Sequence, residues 1–128
     1  MHHWQHALVH AVIHAARHAL MNRPQQYAAR APTRREKLEA AIRRGDVGDV
    51  DWILFWSFFD VNDSDESGVT LLHYASRYGS LDVARLLIDK GANVNAVNRS
   101  GETPLSLAQK GGHLELAQYL IKHGANKN

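Results

Sequence analysis

The 128-residue sequence predicts an all-α chain of stacked helical repeats. The first observation behind this is self-similarity. Moving the chain 33 positions along itself sets Gly68 on Gly101, Thr70 on Thr103, Leu72 on Leu105 and Ala75 on Ala108. Further on, Gly79 falls on Gly112, Leu81 on Leu114, Leu87 on Leu120, Gly91 on Gly124 and Asn93 on Asn126. A fixed period of this length marks a stacked repeat, in which no unit can bury its apolar face alone. The second observation is that glycines, small residues and leucines all recur in phase, so turns, close contacts and core positions share one register. Length and a 45% hydrophobic content suit one globular domain with a modest core.

Composition narrows the function classes. The chain has no cysteine, which removes disulfide frameworks and thiolate metal sites and fits a reducing compartment, so an intracellular, cytoplasmic location is expected. Trp52 to Trp56 is the longest apolar run, far too short to span a bilayer. A formal net charge of +2 sets up no field that calls for nucleic acid. The distribution is more telling: no Asp or Glu precedes Glu36, whereas Asp46 to Glu66 holds seven acids and no Lys or Arg.

Residues 1–32 read as an amphipathic helix and its linker. MHHWQHALVHAVIHAARHALMN lacks Gly and Pro and is rich in Ala and Leu, which favours helix. At about 100° per residue, Trp4, Leu8, Val12, Ala15, Ala16 and Ala19 share one side. His6, His10, His14 and His18 step by four along the other. Histidines four apart can chelate one divalent ion, so a zinc-type site on this stripe is one expectation. Two imidazoles leave a tetrahedral ion half-coordinated, however, and no acid is near in sequence. Histidine as a solvated polar face ranks above the metal, and no other cofactor is expected. A pH-dependent membrane or partner contact and a mitochondrial presequence rank lower still. Arg23 to Pro32 is a connector.

Residues 33–64 read as a degenerate first unit. Thr33 and Glu36 have capping-box spacing, and REKLEAAIRRGD has the character of an inner helix. Ala41 and Gly45 precede Ala75 and Gly79 by 34, whereas Asp60 to Asn62 precede Asn93 to Asn95 by 33, so one extra residue is expected near Gly48. Phe58 stands where later units have Gly91 and Gly124. A bulky residue resists the left-handed conformation that ends such a helix, so a different helix end is expected here. Trp52, Phe55, Trp56, Phe58 and Phe59 form an aromatic cluster that must be covered or bind something. The N-terminal helix is the expected cover, acting as a cap; self-association through that helix or the cluster is the alternative.

Residues 65–97 and 98–128 read as two regular units. Each has a turn signal at Gly68 or Gly101 and a stop signal at Gly91 or Gly124. Leu72, Ala75, Leu86 and Leu87, with Leu105, Ala108 and Leu120, are the expected core. Asp63-Ser-Asp65-Glu-Ser67-Gly68 has the first half of a calcium loop, but its twelfth position is Tyr74, so the cage is incomplete. No nucleophile–base constellation, phosphate-cradling glycine loop or H-E-x-x-H occurs, and no enzymatic activity is expected.

The residues G-x-T-P-L, then Ala, then G-H-L-E, then G-A-N, as they stand from Gly101 to Asn126, resemble the ankyrin repeat. The resemblance covers 65–128 well and 33–64 loosely. It implies a solenoid of helix-turn-helix units with projecting hairpin-like loops, including Asn93 to Gly101. It also implies a structural hydrogen bond from His73, and use as a non-enzymatic protein-binding module. By the same resemblance the partner surface would comprise Glu66, Ser67, Val69, Arg77 and Tyr78, then Arg99, Ser100, Glu102 and Lys110, with Arg43 and Arg44 in the matching place on the first unit.

Overall fold

The computed structural model describes residues 30–126. Six α-helices run in order: α1 (Arg34–Arg44), α2 (Val47–Ser57), α3 (Leu71–Tyr78), α4 (Leu81–Asp89), α5 (Pro104–Lys110) and α6 (Leu114–Lys122). No strand occurs among the described residues. The helices pair as α1/α2, α3/α4 and α5/α6. The inner helices α1, α3 and α5 stack on one another, and the outer helices α2, α4 and α6 form a second layer. The expected helix of residues 4–20, its histidine stripe and its capping role lie outside the described residues.

Inner helices start on the same chemistry three times. Thr33, Thr70 and Thr103 are extended N-cap residues whose hydroxyls accept from the N–H three residues on. The third residue answers each time: Glu36, His73 or Ser106 accepts from the N-cap N–H. Each cap satisfies two N–H groups that the helix itself cannot, and losing the threonine would cost about 1 kcal/mol.

The core lies between the layers. Leu38, Ala41 and Ile42 of α1, Leu71, Leu72 and Ala75 of α3, and Leu105 and Ala108 of α5 meet Val50 and Leu54, Val83, Ala84 and Leu87, and Leu116, Ala117 and Leu120 of the outer layer. Leu86 packs against this core while half-buried. The buried pair Val50/Leu54 precedes Val83/Leu87 by 33, whereas the N-caps Asp46 and Ser80 differ by 34. The extra residue of the first unit is therefore taken up in the first turn of α2, around Gly48.

The end of α2 corrects one expectation. Phe58 does adopt the left-handed conformation, with φ 54° and ψ 31°, and is the one non-glycine residue among those described with positive φ. Two features let it do so. Its ring is 94% exposed, so no packing forces the backbone elsewhere. The Arg34 guanidinium donates to the Ser57 carbonyl at 3.2 Å, tying down the helix end. Phe59 also departs from expectation: it packs against the core, leaving Trp52, Phe55, Trp56 and Phe58 as the exposed aromatic group.

The connecting loops repeat as closely as the helices. Asp65 Oδ1 accepts from the N–H groups of Ser67 and Val69, and Asn98 Oδ1 does the same for Ser100 and Glu102. The loops close through Asp65 N–H to Val69 O and Asn98 N–H to Glu102 O, without ladder pairing long enough to form a strand. Arg99 N–H donates to Ser67 O and ties one loop tip to the next. Asn62 and Asn95 act as clasps. Asn62 donates to Gly91 O at 3.0 Å and accepts from Asn93 N–H, and Asn95 binds Gly124 O and Asn126 N–H in the same way.

Candidate partner-binding face

The candidate surface begins with what α3 leaves exposed. Leu71, Leu72, His73, Ala75 and Ser76 are buried, which leaves Tyr74, Arg77 and Tyr78 as its outward strip. The two tyrosine rings stack at 6.4 Å with an interplanar angle of 16°. Beside them Val69, His73, Tyr74, Arg77, Asn98 and Leu107 line a small cleft between α3, α5 and the loop tips. Burial and the nearby Glu39 and Asp65 carboxylates raise the Tyr74 phenol above its usual value, so the ring stays a neutral hydrogen-bonding aromatic.

The floor of this cleft is fixed by His73, which is 1% exposed. Its Nδ1 accepts from Thr70 N–H at 3.0 Å and lies 2.8 Å from Thr70 Oγ1. Its Nε2 lies 3.0 Å from Glu102 O in the next unit. A carbonyl can only accept, so these partners assign the neutral tautomer with the proton on Nε2. Burial lowers the His73 pKa from 6.5, outweighing the backbone carbonyls and nearby acids that pull the other way. The histidine thus links two units.

The other boundary solves the same problem with a different side chain. Arg35 donates to Asp63 O at 3.1 Å and to Val69 O, and is held by Glu39 at 3.0 Å. Val69 precedes Glu102 by 33, so Arg35 and His73 serve equivalent carbonyls. Ser106, at the His73 position of the last unit, accepts from Thr103 N–H and donates to Thr103 O, serving its own unit only.

Of the sequence-predicted contact residues, Val69 and Arg77 line the cleft, and Tyr78 stacks at its edge, 43% exposed. Glu102 pairs with Lys110 at 3.1 Å across the inner side of the third unit. Hydrogen bonds from Asn98 and Lys110 hold the Glu102 carboxyl below its usual value. Glu66, Ser67, Arg99 and Ser100 sit at exposed loop tips whose backbones are committed within the fold. Arg43 is exposed at the end of α1. Arg44 stands apart: it pairs with Asp49 at 3.0 Å and lines a separate depression with Pro32, Glu36, Lys37, Ala40 and Ile53. Tyr74, Asn98 and Leu107 were not singled out from the sequence. The repeat register held the signal, since Tyr74 precedes Leu107 by 33.

Asp65 of the half calcium loop spends its Oδ1 on the loop's own N–H groups. Among the described residues no three His, Asp or Glu side chains converge as metal ligands. His6, His10, His14 and His18 lie outside those residues. Among the described helices none is long and apolar enough to cross a membrane.

The family model for ankyrin repeats matches residues 38–128 as three copies. The chain belongs to the ankyrin-repeat family. This ankyrin-repeat chain is similar to a chain in a solved structure described as a predatory endopeptidase from Bdellovibrio bacteriovorus in complex with immunity protein Bd3460. The TM-score is 0.68 at 35% sequence identity, over 71% of this chain and 47% of that one. The ankyrin-repeat chain therefore spans less than half of that chain's length. Comparison with curated proteins gave no match.

Proposed function

We propose that this ankyrin-repeat chain is a non-enzymatic binding module whose protein partner contacts the inner-helix strip and the loop tips beside it. The observation that carries the reading is the stack of exposed Tyr78 on half-buried Tyr74 next to the Val69–Leu107 cleft. Aromatic rings beside an apolar cleft, with cations around them, are the composition from which interface hot spots are made. The loop tips support it in a second way. Their backbones are bonded within the fold, so Glu66, Ser67, Arg99 and Ser100 present side chains from a fixed frame. Such preorganisation lowers the ordering cost of association. The similar chain comes from a complex between an immunity protein and an endopeptidase, which favours a protein partner here too. Three short units offer a small surface, and a partner would bury less than about 800 Å² per side.

The test is site-specific photo-crosslinking in cells that express the full chain. A crosslinker at Tyr78 or Arg99 should capture one discrete protein, whereas the same group at Gln118, exposed on the outer helix α6, should not. Equal capture of that protein from both faces would overturn the reading.

A further inference from the structure

The inner face reads as rows because the units are in register. Ala40, Tyr74 and Leu107 occupy one position of the three inner helices, and Arg43, Arg77 and Lys110 the position three residues on. Successive inner helices pack directly, α1 on α3 and α3 on α5, and packed helices lie about 8–10 Å apart. A row of cations spaced by roughly 10 Å therefore runs across the units, beside the half-buried Tyr74 and the cleft it shares with Leu107. A chain in the extended polyproline II conformation rises about 3.1 Å per residue with three residues per turn, so every third side chain lies on one side and would meet the next cation.

These charges are open to an outside partner. Arg43 and Arg77 belong to none of the ion pairs formed among the described residues, and both are exposed. Lys110 pairs with Glu102 but keeps 67% of its side chain in solvent, so it can serve a second carboxylate. The acids nearby are engaged: Glu39 with Arg35, Glu102 with Lys110 and Asn98, and Asp65 with its own loop. Glu66 is the exposed exception, and it sits at the loop tip rather than among the rows.

We propose that this face takes an extended acidic segment of the partner protein. Carboxylates at every third residue lie on Arg43, Arg77 and Lys110, and the side chains between them lie on Tyr74, Tyr78 and the Val69–Leu107 cleft. Arginine forks suit carboxylates, and a flat tyrosine pair suits apolar or aromatic side chains. The proposal rests on the inner face being the binding surface and adds the chemistry of what binds there.

The test uses fluorescence anisotropy on the full chain with a labelled peptide of Glu-Tyr-Ser triplets, against the same peptide with Lys for Glu. The proposal expects saturable, salt-sensitive binding of the Glu peptide alone. The Arg43→Glu/Arg77→Glu variant, altered at two exposed positions and checked for unchanged helicity, should weaken that binding about tenfold or more and gain affinity for the Lys peptide. Equal binding of both peptides, no binding of either, or indifference to the double substitution would overturn the proposal. If crosslinking at Tyr78 still captures a discrete protein in that case, the inner-face reading stands and only the charge assignment falls.

Discussion

His73 and Arg35 show how one structural demand meets two chemistries. Each unit has a carbonyl just before its inner helix, at Val69 or Glu102, that accepts one hydrogen bond within the unit and keeps a second lone pair for its neighbour. The preceding unit supplies the donor, an imidazole at one boundary and a guanidinium at the other. The difference has a pH consequence. An arginine stays charged, but His73 must be neutral to accept at Nδ1, and burial lowers its pKa in the folded chain. The unfolded chain therefore takes up the proton first. Stability from neutral His73 is complete above the ordinary histidine value of 6.5 and is lost as pH falls below it. Urea unfolding at about pH 7.5 and about pH 5 should show the parent losing its advantage over His73→Gln in acid. A parent–variant difference that does not change with pH would rule out this linkage. The resemblance implied a structural bond from His73, and the structure has it. The equivalence of Arg35 was not legible, because α1 begins earlier in its unit than α3 does and alignment by motif gives Arg35 no counterpart with the same role.

At the scale of the element, α2 is where pattern and structure part. Its sequence shows clearly that the stopping glycine is missing, but not what replaces it. The left-handed region is costly for a bulky residue, not closed, and an exposed ring with an Arg34 contact at the preceding carbonyl tips the balance. Because Phe58 has few contacts to lose, Phe58→Gly should stabilise the chain by about 0.5–1 kcal/mol, read from thermal or urea unfolding. Destabilisation would mean that the ring is held by something and that its conformation is not strained. Phe59 illustrates the complementary failure. Sequence placed it with the surface aromatics, yet a helix end turned by left-handed Phe58 directs the next side chain to the core. The regular units held no such surprise. Thr70 and Thr103, the leucines, Ala75 and Ala108 all sit where a period of 33 places them, because each serves a local cap or contact that recurs unchanged.

At the scale of the whole repeat unit stack, register turns scattered surface residues into a surface. Arg43, Arg77 and Lys110 are far apart in sequence and adjacent in the stack only because α1, α3 and α5 pack side by side. Sequence picked all three as contact positions but grouped Arg44 with them, whereas Asp49 draws Arg44 away. Tyr74 and Leu107 were not singled out from the sequence, because only the stacking of α3 on α5 brings them to one cleft. The measurement that tests the account most directly is an amide NMR titration of the full chain with the Glu-Tyr-Ser peptide. Shifts confined to Arg43, Val69, Tyr74, Arg77, Tyr78, Leu107 and Lys110, with α4 and α6 unmoved, are the predicted result. Shifts centred on the outer helices, or on the aromatic residues of α2, would contradict it.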